Sequence, residues 1–251
     1  MNPSIAILTG ASRGLGRAMA AQLLQRGRHL LTIARHADPA LDTLARERGA
    51  TLTAWTLDLA DAPAAAARLA GWLAAQPPAD AVLINNAALL SEPAPLRDGR
   101  DAELSAAVRV GLEAPLLLSA AFLRATDGWG SDRRVLNISS GLGRRAMAGS
   151  ASYCAVKAGM DHFSRALAME ESARSDGRRG ARIVSLAPGV IDTDMQVQLR
   201  GADRTRFPDG AMFEALQTEG RLATPEEAAR RVLAFLARED FGTEPVADVR
   251  G

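Results

Sequence analysis

The apolar run Ser4–Leu8 breaks at once into a turn holding Gly10, Gly14 and Gly16, and a helical pattern follows from about Leu15 to Arg26. A strand that ends in glycines and hands over to a helix constrains this chain more than any other feature, because strand and helix patterns go on alternating along its length. Strand patterns fall at His29–Ala34, Thr51–Leu57, Ala81–Asn85, Arg133–Ser139 and Ala181–Leu186, with a short last one near Pro245–Val249. Helical patterns cover Ala62–Ala75, Asp101–Ala125, Ser152–Ala173 and Pro225–Arg238, the last opened by Thr224, Pro225 and Glu227 in capping-box order. Apolar strands alternating with helices predict a parallel sheet covered on both faces. With 251 residues and no repeat, linker or low-complexity stretch, one domain over 1–251 is expected. The stretch Thr193–Leu222 breaks the rhythm with Pro208, several glycines and several charges. It is expected to hang as a lid over the carboxyl edge of the sheet, where parallel sheets bind ligands.

Composition excludes several functions. Lys+Arg 30 against Asp+Glu 29 leaves a net charge of +1, with no basic block, so a binder that tracks a nucleic-acid backbone is not expected. Cys154 stands alone, which precludes an intrachain disulfide and suits a cytoplasmic location. The first residues lack the basic start of a signal peptide. The apolar run Ala114–Leu123 falls short of the ~20 residues of a membrane span. His29, His36, His162 and Cys154 show no metal-ligand spacing. One oddity says more. The chain has a single tyrosine, Tyr153, and a single lysine, Lys157, four residues on; every other basic side chain of the Lys+Arg set is arginine. Arginine does not replace lysine where a compact ammonium must fit.

Glycines directly after the first strand let the backbone approach an anion, and the helix that follows offers unpaired N–H groups and a positive dipole end. Gly10, Ser12, Arg13, Gly14, Leu15 and Gly16 are therefore candidates for holding a dinucleotide pyrophosphate. Gly10-Ala-Ser12-Arg-Gly14 also fits the nucleophile elbow of serine hydrolases. That reading lacks an upstream loop for an oxyanion donor, and its only downstream histidine, His162, sits in mid-helix. Strand two ends in Arg35 where an acidic residue would hold a ribose 2′-hydroxyl. Arg35 and Arg13 together suit a 2′-phosphate, which favours NADP(H) over NAD(H).

Further motifs follow in order. Asp58-Leu59 closes strand three, Asn85-Asn86-Ala87-Ala88 strand four and Asn137-Ile138-Ser139-Ser140 strand five; Tyr153-Cys-Ala-Val-Lys157 and Pro188-Gly189-Val190-Ile191-Asp192-Thr193 come after. With the glycine turn, this ordered set resembles the short-chain dehydrogenase/reductase family over essentially the whole chain. The resemblance implies a single-domain Rossmann-type doubly wound α/β sheet of about seven strands, and a homodimer or homotetramer. It implies Ser140, Tyr153 and Lys157 as the catalytic trio, Ser140 lying the family's usual 13 residues before Tyr153. It implies cofactor contacts from Asp58, Leu59, Asn86, Ala87, Tyr153, Lys157, Pro188, Gly189, Ile191 and Thr193. The C-terminal third is similar to sepiapterin reductase and bacterial diketone (benzil-type) reductases, which places Asp248 at a substrate-anchoring position beside Ser140 and Tyr153. Two departures stand out: Gly111 replaces the asparagine that supports a proton-relay water in the family, and Ala88 replaces a glycine. Glycine at 111 permits a local helix distortion and leaves room for that water.

The chemistry follows from the trio. Reducing a ketone leaves an alkoxide that needs a proton, and a free tyrosine at pKa ~10 cycles poorly near neutrality. Residues i and i+4 share a helix face, so the Lys157 ammonium is expected to acidify the Tyr153 phenol. Ser140 orients the carbonyl. The expected activity is NADPH-dependent reduction of a small ketone or vicinal diketone. A regulatory protein that binds NADP(H) and turns over little is the alternative, motivated by Gly111. Met195, Leu199, Phe207, Met212 and Phe213 either line the pocket or pack the lid onto the body.

Overall fold

The structure, a computed structural model, describes residues 4–250. Seven strands, β1 Ser4–Thr9, β2 Arg28–Ala34, β3 Thr51–Thr56, β4 Asp80–Asn85, β5 Arg133–Ile138, β6 Arg182–Ala187 and β7 Val246–Asp248, form one sheet in the order β3-β2-β1-β4-β5-β6-β7. Every pairing is parallel; Ile7 of β1, for example, lies between Leu31 and Leu83. Strand order reverses between β1 and β4, and that crevice is where such sheets take ligands.

Side-chain alternation builds two cores. Ala6 and Leu8 of β1 join one apolar cluster while Ile5 and Ile7 join the other. Helices α1 Gly14–Leu23 and α9 Pro225–Leu236 cover the first face. Helices α3 Ala62–Ala74 and α5 Ala114–Ala125 cover the second, and α6 Ala151–Ser172 reaches it through Leu167 and Ala168. Each leucine or isoleucine withdrawn from water here stabilises the fold by roughly 1.5–3 kcal/mol. Helix α9 starts as its residues predict: Glu227 N–H donates to Thr224 Oγ1 and Thr224 N–H donates to Glu227 Oε2, both at 3.2 Å.

Three features differ from expectation. Helix α2 Pro39–Arg48 stands between β2 and β3 where no helix is predicted. It buries only Leu41 and Ala45, too narrow a stripe to register as a period, although Asp38, Pro39 and Gly49 mark its ends. The expected helix over Asp101–Ala125 is continuous but not uniform: α4 Asp101–Val108 passes into α5 through a π-turn at Arg109–Glu113. Taken whole it is long and apolar enough to cross a membrane, yet half of its apolar window is buried in protein, with Val110, Ala114, Leu118 and Phe122 in the core. The segment expected to be an irregular lid carries two helices, α7 Asp194–Arg200 and α8 Gly210–Thr218. Phe207 stacks on Phe213 at 5.9 Å, and with Met147 and Leu199 they form a small third core against which Cys154 packs.

Candidate active site

A cleft of about 870 Å³ opens at the carboxyl ends of the strands, walled by the glycine turn, the ends of β4 and β5, α6, and helices α7 and α8. All the residues predicted to bind cofactor, and Ser140, Tyr153 and Lys157, line it; Asp248 does not.

The glycine turn owes its shape to close backbone approach. A Cβ on Gly16 would stand 2.0 Å from the Gly10 carbonyl oxygen, and one on Gly10, whose φ is +73°, would stand 2.9 Å from Ala87 Cα. Thr9, given no role by the sequence reading, joins the turn to the end of β4: its hydroxyl accepts from the N–H groups of Asn86 and Ala87, each at 3.0 Å. Asn86 Nδ2 donates in return to the carbonyls of Thr9 and Gly10, at 3.0 and 3.2 Å. The first turn of α1 has no side-chain cap, so its N–H groups remain free to meet an anion. Arg35, exposed at the end of β2, makes no ion pair with any described residue. Arg13 is engaged, with its Nη1 2.9 Å from Asp194 Oδ2. Asp58 folds the chain after β3 by accepting from Ala60 N–H at 2.9 Å, and Leu59 sits mostly in the core.

Helix α6 carries Tyr153 and Lys157 one turn apart, and the chain leaving β5 brings Ser140 to the same wall. Lys157 is 2% exposed; its Nζ donates to the Ile138 carbonyl at 2.7 Å and stands 5.6 Å from the centre of the Tyr153 ring. Desolvation pushes the Tyr153 phenol up to about 12, against a hydrogen bond with Ser140 that pulls it down. Burial lowers Lys157 to about 8, against the carboxylate of Asp161 that raises it. Against the lowering expected from Lys157, desolvation is the larger effect on the phenol in this structure. The ammonium is engaged by a backbone carbonyl, and loss of water around the phenol outweighs its hydrogen bond with Ser140. At neutral pH Tyr153 is protonated, the form a proton donor requires, and Lys157 is mostly charged.

Asp161 was not foreseen, although Tyr153, Lys157 and Asp161 recur at four-residue spacing on one helix face. Its carboxylate, 2% exposed, accepts from Ser185 Oγ at 2.6 Å and from Arg144 Nε at 3.1 Å. Arg144 Nη2 also donates to the Ala247 carbonyl of β7 at 2.8 Å. A Cβ on Gly143 would meet the Lys157 carbonyl oxygen at 2.9 Å, so the turn after Ser140 lies flat against α6. These contacts tie Ser140's loop, β6 and β7 to the helix of the trio. Deeper in the sheet, Asn85 Nδ2 donates to Asn137 Oδ1 at 2.8 Å, and Asn137 Nδ2 to Ser164 Oγ at 2.9 Å.

Two further sequence expectations meet geometry here. Gly111 lies within the π-turn, so the helix is distorted as foreseen. The room foreseen beside it is taken: a Cβ at 111 would stand 2.6 Å from Val156 Cγ1. Gly111→Asn is expected to lower stability by about 1–3 kcal/mol, as overpacking does. Adding Val156→Ala should recover most of that loss, and thermal unfolding of the two variants checks the pair. The structure does not bring Asp248 to the trio. Both its oxygens are held by Arg250, Nε at 2.8 Å and Nη2 at 2.7 Å, which keeps its carboxyl below the usual range. Arg250 lines the cleft instead.

Residues 4–204 match the sequence model of the family described as short chain dehydrogenase. Benzil reductase ((S)-benzoin forming) of Bacillus cereus is 33% identical over 238 residues, covering 94% of each chain. The enzyme of that name from Bacillus subtilis (strain 168) is 30% identical over 244 residues, covering 95% of this chain and 94% of its own. Among solved structures, a metagenomic short-chain oxidoreductase in complex with NADP superposes with a TM-score of 0.74 at 27% identity, covering 98% of this chain and 95% of that one. The family match spans most of a chain that carries a glycine turn at the switch point and a Ser–Tyr–Lys wall facing it, relatives cover nearly its full length, and the chain belongs to the short-chain dehydrogenase family.

Proposed function

We propose that the protein is an NADPH-dependent carbonyl reductase acting on ketones and vicinal diketones of the benzil or sepiapterin type. The observation that carries this reading is the cleft wall on which a protonated Tyr153 phenol, the Ser140 hydroxyl and the buried Lys157 ammonium meet. The dinucleotide fits the chain's own features. Gly10 and Gly16 form a cradle that a Cβ would fill, the first turn of α1 offers uncapped N–H groups that suit a pyrophosphate, and Pro188, Gly189, Ile191 and Thr193, which line the cleft, would hold the nicotinamide end. When bound, the reduced cofactor supplies the hydride. Ser140 donates to the substrate carbonyl oxygen and fixes its orientation. Tyr153 gives its proton to the alkoxide, and Lys157 holds positive charge beside the phenolate that remains. Substrate and cofactor are small molecules; neither nucleic acid nor membrane enters the reading.

The direct test follows reduced-cofactor absorbance with NADPH and benzil, diacetyl or sepiapterin. No consumption above blank with any of them overturns the substrate class. The cofactor preference rests on Arg35, which has no described carboxylate to share, more than on Arg13, which shares Asp194. A charge-assisted hydrogen bond contributes about 1.5–3 kcal/mol. Arg35→Ala should therefore raise KM for NADPH roughly tenfold or more and leave NADH kinetics nearly unchanged. Equal effects on both cofactors would remove the 2′-phosphate reading. A regulatory NADP(H)-binding role stays tied to Gly111, and tight NADPH binding with no turnover across a carbonyl panel would favour it. A homodimer or homotetramer is proposed from the family resemblance, with the apolar helix Ala114–Leu123, which leaves Leu116 exposed, as the candidate interface. Light scattering should give a mass of at least two chains.

A further inference from the structure

Beyond Asp194, which is paired with Arg13 at the start of α7, the wall of the cleft formed by α7 and α8 is apolar through Leu199, Met212 and Phe213 except at Gln196. Gln196 stands on the same buried face of α7 as Leu199, is 8% exposed, and lines the cleft. Its side-chain Oε1 is buried and has no hydrogen-bond partner. The helix accounts for its backbone, whose N–H donates to the Thr193 carbonyl at 2.8 Å, but nothing in the protein accounts for the amide oxygen. A methionine of similar length would cover the same area without a buried orphan acceptor, so a polar group at this point is explained by a ligand that satisfies it.

We propose that Gln196 is the specificity-determining residue of the cleft, and that its amide oxygen accepts a hydrogen bond from a hydroxyl or N–H carried next to the reacting carbonyl. The preferred substrate class is then the α-hydroxy or α-amino ketone rather than the plain ketone. The assignment rests on the carbonyl-reductase reading and narrows it to ketones with a neighbouring donor, since the second carbonyl of a plain diketone only accepts and leaves the Gln196 oxygen unpaired. Ser140 and Tyr153 hold the carbonyl oxygen from the α6 wall, and Gln196 holds the neighbouring donor from the α7 wall. Two contacts on adjacent atoms, added to an apolar surround, orient the carbonyl face presented for reduction. A site built to pair with a polar group also discriminates against the analogue lacking it, because its own polar atom is then left unpaired.

The test compares kcat/KM, with NADPH, for 1-hydroxy-2-butanone and 2-butanone, in the native protein and in two variants. Taking the ratio of the two substrates and then comparing proteins cancels the intrinsic reactivity that the hydroxyl confers. Gln196→Met, which removes the acceptor at nearly constant length, should lower that ratio about tenfold, the equivalent of about 1.4 kcal/mol. Gln196→Glu, which keeps an acceptor in place, should retain the ratio within about threefold. A ratio in Gln196→Met within twofold of the native protein overturns the assignment and leaves the reductase reading standing. Equal loss in Gln196→Glu overturns it as well, since the effect would then follow from disturbed packing of α7. A native protein that reduces neither these ketones nor the diketones named above defeats the reductase reading, and the assignment falls with it.

Discussion

Tyr153→Phe is expected to lower kcat for diketone reduction by about 10²–10⁴-fold, the span that a positioned general acid contributes. NADPH affinity should change little, because the ring that walls the cleft is retained and only the hydroxyl is lost. The structure sharpens the reason. The phenol, pushed up to about 12, holds its proton throughout the neutral range. The proton is therefore always available for reduction, and the step that needs help is its departure. The Ser140 hydrogen bond lowers the phenol, and the positive charge of Lys157 offsets the cost of leaving a phenolate in the desolvated site. Single-turnover kinetics at saturating NADPH, with cofactor binding followed by fluorescence, separates the two effects. Retention of more than a tenth of native kcat would remove Tyr153 from the role of proton donor.

Gly16→Ala should have the largest effect on the fold and on the cofactor cradle together. The added methyl would stand 2.0 Å from the Gly10 carbonyl oxygen and 2.5 Å from Asn86 Nδ2, and the first of these is backbone that cannot swing aside. Relief requires the turn to open, which breaks the Asn86 contacts that join it to β4. A cost of about 3 kcal/mol, the upper end of ordinary overpacking, corresponds to a fall in Tm of roughly 6–12 °C for a chain of this size. NADPH titration of the folded variant should show affinity reduced by at least tenfold. Gly71→Ala in α3 is the control: no atom lies within 4 Å of its Cβ position, and helix propensity favours the alanine. A variant Gly16→Ala as stable as Gly71→Ala would mean that the close approach is not what holds the turn.

Much of the molecule is legible along the chain. Short apolar runs place β1, β2, β4, β5 and β6 within about a residue of their observed ends, because a strand buried on both faces is apolar along most of its length. The glycine turn and the Tyr153–Lys157 offset were readable for a similar reason: each is a local requirement, met by neighbours in sequence. Where burial is slight, as in α2, the signal fades although the helix is well capped. The two helices of the lid segment pack on each other and on Met147, not on the sheet, so their apolar residues follow no sheet-facing period.

Residue order alone determined the alternation of strands and helices, the parallel sheet and the Tyr153–Lys157 offset of the proposed trio, since backbone propensity, side-chain period and short spacings are all carried by adjacent residues. Charge states and neighbours at the site were decided only in three dimensions. Lys157 donates to a strand carbonyl 19 positions away, Asp161 meets Arg144 and Ser185, Val156 fills the space beside Gly111, and Arg250 rather than Asp248 faces the cleft. Those outcomes depend on desolvation and on contacts between distant segments, and neither exists until the two faces of the sheet are covered.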